Sequence, residues 1–545
     1  MIRWLNLLLF ILASAVHLNA QYPAGRYWVR LSDKNHNAFS LEHPEEFLSQ
    51  RALQRRKDQN IPVEFNDLPV SRFYMDSLIG LGIPVVNTSK WFNSFTTGDI
   101  DNTQVSILLG LPFVNQIQYV RPAVIQNKTT LPGGQLSDLS ESFNYGFGGG
   151  QITIHHGEQL HKMGYTGKGI HIAIIDAGFN QADLLPAFYN LWDNNQILGF
   201  RDFVEPGSDI FEAHGHGTYV LSVMGSYAPG IMIGTAPDAS FWLLRSEDTG
   251  SEYLIEEDNW VSAAEFADSA GADVINTSLG YFTFDDSTQD HTYQDMDGNT
   301  TRISIAADIA ASKGMLLVNS AGNQGNKEWK YISAPADADS ILTIGAVEYS
   351  GIIAPFSSLG PTSDGQIKPD VCAVGWGTYM YLPNGALTQG NGTSLSSPVI
   401  AGLSACLWQA NRQATNMQLL EAVQQSSDRF ENPDTIYGYG IPDFYQANLL
   451  LKTNYRSKSD TTDIIHIFPN PFRYETYLSF ESEDDAEAII SASNPAGNLV
   501  IDFKMPVNKG YNLILIDEFS ELSRGIYIVM VQCDEKLLYQ KIIKL

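Results

Sequence analysis

The chain has 545 residues, too many for one hydrophobic core, so roughly three or four domains are expected. Its 44% hydrophobic and 17% charged content is that of globular protein. A net charge of −28 argues against nucleic acid, whose phosphates are held by Lys and Arg, and against docking on anionic lipid. The charge is uneven. Residues 141–455 hold 36 of the 61 acidic residues and 12 of the 33 basic ones, whereas residues 21–140 hold 11 of each, which points to separate modules. Three cysteines, Cys372, Cys406 and Cys533, exclude a fully paired framework within one chain. Cys406, in an apolar stretch, is expected to be a buried thiol, and no sequence feature supports a Cys372–Cys406 bridge.

In chain order, residues 1–20 read as a secretory signal: Arg3, an apolar run from Leu5 to Val16, and small residues that allow cleavage after Ala15 or Ala20. No later stretch is apolar for long enough to span a membrane, so no transmembrane helix is expected once the signal is removed. Residues 21–145 read as a small α+β unit with a linker. Its strands are expected at Tyr27–Leu31, Ile83–Val86, Trp91–Thr96 and Ile117–Val120. Its helices are expected at Pro44–Arg56, Ser71–Leu81 and Val105–Gly110. The polar, glycine-rich stretch 126–150 reads as a cleavable linker ending in Gly148-Gly149-Gly150.

Residues 146–455 alternate strands and helices, the pattern of a parallel sheet covered on both faces. Strands are expected at Ile170–Asp176, Ser240–Leu244, Val274–Thr277, Met315–Asn319 and Ile341–Val347. Helices are expected at Gly217–Tyr227, Tyr253–Ala270, Ile303–Lys313, Ser394–Ala410 and Met417–Ser426. Residues 456–463 form a polar linker. From 464 to 545, seven short strand-like runs separated by turn residues read as a β-sandwich.

Four side chains in the middle module carry chemistry. Asp176 closes the apolar run His171–Asp176, where core packing does not explain a charge. His216 stands in His214-Gly215-His216-Gly217-Thr218, leading into a small-residue helix. His214 is the lesser choice as a base, and the two histidines would not share a helix face as metal ligands. Asn323 follows a strand in Ala321-Gly322-Asn323-Gln324-Gly325, where its amide is a donor suited to an oxyanion. Ser394 lies in Asn391-Gly392-Thr393-Ser394-Leu395-Ser396-Ser397-Pro398, a turn entering a helix, whose unpaired N–H groups favour negative charge. Pro398 is expected in the first helical turn.

The order Asp, His, Ser is the one found in subtilisin. Residues from about 150 to 450 resemble the subtilisin-like serine proteases. The matching stretches are Ile174–Gly178, His216–Val220, Ser320–Asn323 and Gly392–Pro398, with Phe356–Pro361 and Lys368-Pro369-Asp370. The resemblance implies roles. Ser394 is the nucleophile, His216 the general base and Asp176 its orienting partner, with Asn323 as oxyanion donor. Ser278, Leu279 and Gly280 would pair with bound substrate as an added strand. The departures at Tyr219, Leu395 and Ser396 remove no reacting group.

By position, residues 21–145 correspond to the family's inhibitory prosegment. The C-terminal module resembles the sorting domain of the Bacteroidetes type IX secretion system, through Ile467–Phe472, Asn494–Gly497, Gly525-Ile526-Tyr527 and Lys541–Leu545. The expected partners are therefore protein or peptide substrates, the chain's own prosegment and the secretion machinery. No cofactor is required for the chemistry. Calcium is a common structural ion of the family, but Asp285, Asp286, Asp290, Asp295 and Asp297 lack an EF-hand spacing and read as a solvated insertion, so no metal ligand is assigned. The combined reading is a secreted, or cell-surface attached, serine endopeptidase made as a zymogen and exported across the outer membrane. Its alternatives are a catalytically silent surface binding protein of the same fold and an esterase using the same triad.

Overall fold

The computed structural model describes residues 22–123, 143–454 and, apart from 469, 473–475, 483 and 534–535, residues 465–545. The expected signal, the linker 456–463 and most of the stretch 126–150 lie outside these residues. Where that last stretch is described, Gly148-Gly149-Gly150 is no linker, because a short helix starts at Gly149 and runs to Thr153.

The middle unit is built on seven parallel strands. Their order across the sheet is Val371–Val374, Leu342–Val347, Leu316–Ser320, Val274–Thr277, His171–Asp176, Ser240–Arg245 and Ile197–Asp202. His171–Asp176 shows why this sheet is buried on both faces. Ile172 and Ile174 enter one core, Ala173 and Ile175 the other, and all four are inaccessible. Helices His216–Gly225 and Thr393–Ala410 pack on the first face, and Ile255–Ala270 with Arg302–Ser312 on the second. Such sheets bind ligands beyond the carboxyl ends of their strands.

Two sheet strands escaped the sequence reading. Ile197–Asp202 is an edge strand, half exposed and interrupted by Gly199, so its pattern is weak. Val371–Val374 has only four residues. Pro398 sits not in the first turn but at the sixth position of helix Thr393–Ala410. There it removes the hydrogen bond that the Ser394 carbonyl would otherwise accept.

Residues 22–123 form a four-stranded antiparallel sheet in the order Val85–Ser89, Ser94–Thr97, Gly25–Leu31, Val114–Pro122. The expected helix Pro44–Arg56 is split. A 3₁₀ turn at Pro44–Glu46 precedes helix Gln50–Asp58, because Ser49 caps the latter by accepting the Ala52 N–H. This unit docks on helix Ile255–Ala270. Asn87 donates to Asn259, and Ser89 together with the N–H groups of Lys90 and Trp91 donates to the Glu265 carboxylate.

Among its described residues the C-terminal unit has seven strands in two antiparallel sheets, one of three and one of four, closed over Leu478, Phe480, Ile490, Val529 and Val531. All three cysteines are buried free thiols. Among the described residues no helix is long and apolar enough to cross a membrane.

Candidate active site

Asp176 ends the buried strand His171–Asp176 at its carboxyl edge, fully inaccessible. Its Oδ1 accepts the Ala177 N–H at 2.7 Å and faces His216 Nδ1 at 2.8 Å. With Nδ1 protonated by that contact, Nε2 is left as the acceptor of the neutral ring. Burial pushes the imidazole pKa down, but the charge and hydrogen bond of Asp176, helped by Glu247, outweigh burial and hold it above the ordinary value of 6.5. His214 is exposed and does not reach Asp176. Its ring Nδ1 instead accepts the His216 N–H at 3.2 Å, serving the start of the helix.

Ser394 is half-buried in the first turn of helix Thr393–Ala410, and its hydroxyl makes no hydrogen bond to other described residues. Catalytic contacts of this kind are often open before substrate binds. Gly392 keeps the approach clear. A Cβ there would lie 3.0 Å from Ser394 Oγ and 3.6 Å from Asn323 Nδ2. Asn323 Oδ1 accepts the Thr393 N–H at 2.9 Å and faces the Thr393 hydroxyl at 3.1 Å. Because an N–H can only meet the oxygen, the amide is locked with Nδ2 turned toward Gly392 and Ser394. The Ser394 N–H, in the first turn, has no intrahelical acceptor.

Ser278 donates to the Ser394 carbonyl at 3.0 Å, the carbonyl that Pro398 leaves unpaired. Beyond the strand end at Thr277, Leu279 and Gly280 make no backbone hydrogen bonds among the described residues, until Tyr281 pairs with Ala334. Ser278 and Leu279 are buried, and Gly280 is exposed. The sequence-derived set is thus brought to one edge of the sheet: Asp176, His216, Asn323 and Ser394, with Ser278, Leu279 and Gly280 beside the helix that carries Ser394.

The sequence model of the subtilase family (peptidase S8) matches residues 167–440, half of the chain, with this constellation inside it. The chain belongs to the subtilase family. In this subtilase a Bacteroidota peptidase S8 propeptide domain matches residues 26–132, and a secretion-system C-terminal sorting domain matches residues 466–545. It is similar to subtilisin NAT of Bacillus subtilis subsp. natto, 29% identical over 287 residues, covering 52% of this chain and 66% of that one. It is also similar to subtilisin DY of Bacillus licheniformis, 30% identical over 264 residues, covering 47% and 82%. The match with subtilisin NAT spans just under two thirds of that relative's length. Among solved structures, MycP1 from Mycobacterium smegmatis aligns with a TM-score of 0.45 at 20% identity, over 59% of this chain and 89% of that one.

Thr393 was not singled out from the sequence, yet this subtilase uses it to lock the Asn323 amide. A second such residue is Ser397, whose hydroxyl donates to Asn276 Oδ1 at 3.0 Å and ties the helix that carries Ser394 to the central strand. A run of small hydroxyl residues around Ser394 was the only hint. The aspartates from 285 to 297 serve mainly as local acceptors: Asp286 for Thr288 N–H, Asp290 for Phe284 N–H, Asp295 for Thr292 N–H and Asp297 for Asn299 N–H.

Proposed function

We propose that this chain is the precursor of an exported serine endopeptidase that cuts peptide bonds through an acyl-enzyme. The observation that carries this reading is the pairing of Asp176 with His216 Nδ1, together with the amide of Asn323 locked toward Ser394. Ser394 Oγ attacks the carbonyl carbon while His216 Nε2 takes its proton. Asp176 holds the tautomer and balances the imidazolium charge. The oxyanion forms against Asn323 Nδ2 and the Ser394 N–H. The protonated ring then gives its proton to the leaving amine, and a water molecule repeats the cycle on the acyl-enzyme. Residues Ser278 to Gly280 receive the substrate backbone as an added strand, which favours peptides over simple esters. The prosegment holds the enzyme inactive until it is cut away, and the C-terminal domain addresses the protein to the type IX secretion machinery.

Labelling with a fluorophosphonate tests this directly. The processed wild-type protein should label and Ser394→Ala should not. A processed wild-type protein that never labels would favour a silent binding protein.

Two quantitative outcomes follow from the geometry. Asn323→Ala is expected to lower kcat on a peptide anilide by about 10²–10³-fold with KM nearly unchanged, because the amide meets charge only in the transition state. Only the neutral imidazole accepts a proton, and its pKa is held above 6.5. The rate should therefore fall as pH drops through a midpoint above that value. A kcat/KM profile still flat down to pH 6 would contradict this placement of His216.

A further inference from the structure

The loop that leads to His216 carries a second imidazole, which the peptidase chemistry does not use. Helix His216–Gly225 has Gly215 at its N-cap, with no side chain to offer the first N–H groups. The His216 N–H is met instead by His214 Nδ1 at 3.2 Å. The two rings lie nearly parallel, 23° apart in plane, with centroids 6.5 Å apart. The loop has little freedom. A Cβ on Gly178 would lie 2.7 Å from both the N and the O of His214, and one on Gly215 would lie 2.5 Å from the Pro383 ring. The Asn180 N–H donates to the His214 carbonyl at 3.2 Å, and the Gly217 N–H to the Gly178 carbonyl at 2.9 Å. His214 is therefore clamped between the segment that follows Asp176 and the start of the helix that carries His216.

An imidazole nitrogen accepts an N–H only while it carries no proton. In this contact His214 is neutral, with its proton on Nε2. Protonation puts a hydrogen on Nδ1, aimed at the His216 N–H. The bond is lost, a helix donor is left open, and a positive charge stands at the positive end of the helix. That charge also faces the ring that has to take the proton of Ser394. Among the described residues, the titratable groups facing His214 are His216 at the helix start and Asp176 at the strand end. His216 in turn faces Tyr219 on its own helix and Glu247 beyond strand Ser240–Arg245. Burial and then the charge of His216 lower the His214 pKa, against the pull of Asp176. His214 thus titrates below 6.5 and His216 above it.

We propose that His214 is a positioning residue for this reaction. Neutral, it holds the His216 backbone and with it the imidazole that faces Asp176. Protonated, it lets go. The hold is present above the His214 midpoint and is lost as pH falls through it, so two protons shut off cleavage in acid, one on His216 and one on His214. The inference rests on His216 being the general base.

The test follows kcat/KM of the processed enzyme on an uncharged peptide anilide from about pH 8 down to about pH 4.5. In the wild type, log(kcat/KM) should fall first by about one per pH unit and then, below the second midpoint, by about two. His214→Asn keeps an acceptor for the His216 N–H but has no proton to gain, so its slope should stay at about one throughout. His214→Ala removes acceptor and proton alike. It should lower kcat at about pH 8 by about five- to tenfold with KM nearly unchanged, and His214→Asn should recover most of that loss. A second measurement needs no turnover. In the full-length chain carrying Ser394→Ala and isotope-labelled histidine, the His216 backbone amide should shift in the NMR spectrum as the His214 ring titrates, and adding His214→Asn should abolish that shift. A single-proton slope in the wild type over the whole range overturns the proposal. So does a two-proton slope that survives in His214→Asn, or a His214→Ala enzyme that matches His214→Asn at about pH 8. Should the wild type not turn over at all, the peptidase reading fails. An amide that follows His214 then still supports the hold, and one that stays still while His214 titrates overturns it as well.

Discussion

Replacing Ser394 with alanine is expected to lower kcat on a peptide substrate by about 10⁶-fold while leaving the protein folded. The hydroxyl is half-buried and makes no hydrogen bond to other described residues, so its loss removes no internal contact. The backbone N–H at position 394 and the locked Asn323 amide survive the change. A residual acceleration of roughly 10³–10⁴ over the reaction in water should therefore persist. Stability should move by no more than about 0.5 kcal/mol, as for a substitution away from the core. Turnover of a peptide anilide and a thermal melt measure both quantities on one preparation. A loss of less than a hundredfold would place the nucleophile elsewhere.

The second large effect is expected at Asp268, far from the chemistry. It is fully buried on helix Ile255–Ala270, and among the described residues its charged partners all come from the prosegment. Arg55 reaches it at 2.5 Å, Lys90 at 2.7 Å and Arg56 at 2.9 Å. Burial alone would raise its carboxyl, but the charges of Lys90, Arg56 and Arg55 outweigh that and hold it far below the usual range. A depressed carboxylate contributes its stability above the ordinary value near 4, so the contact persists in mild acid and fades only as pH falls well below that.

In the precursor, Asp268→Asn leaves three buried cations without this partner. It is expected to cost about 3–5 kcal/mol. In the processed enzyme the three cations have left with the prosegment, and the same substitution should be neutral or slightly stabilising. Urea unfolding of the Ser394→Ala precursor and of the processed enzyme, each with and without Asp268→Asn, measures the difference. Equal destabilisation in both forms would show that Asp268 serves the catalytic unit itself and not the dock.

The local pattern carried much of the architecture. The run His171–Asp176 is apolar on both faces and could only be a buried strand, and Asp176 at its end was conspicuous for its charge. The apolar run Val105–Gly110 was legible as a helix, but its start at Asn102 was not, because it is set by the capping box that Asp101 and Gln104 close. The identities of Asp176, His216, Asn323 and Ser394 were equally visible, since each stands among glycines and small residues that leave room for a reacting group.

What the chain alone could not state are the contacts between segments. Asn323 could have turned either end of its amide to the site, and only the N–H of Thr393, seventy residues on, decides which. Pro398 looked like a first-turn proline. Its consequence, a Ser394 carbonyl released to Ser278, depends on where the neighbouring strand ends. Arg55 and Arg56 close the expected helix Pro44–Arg56, and nothing in that stretch shows that they are buried against a carboxylate more than two hundred residues away. Glu247, Glu252 and Glu256 were merely part of an acidic region until a loop and a helix start folded them onto one point. Backbone propensity and apolar spacing act within one turn or one strand and are written locally. Hydrogen-bond partners and the burial of charge depend on which surfaces meet, and in this protein only the packed sheet and its docked prosegment decide that.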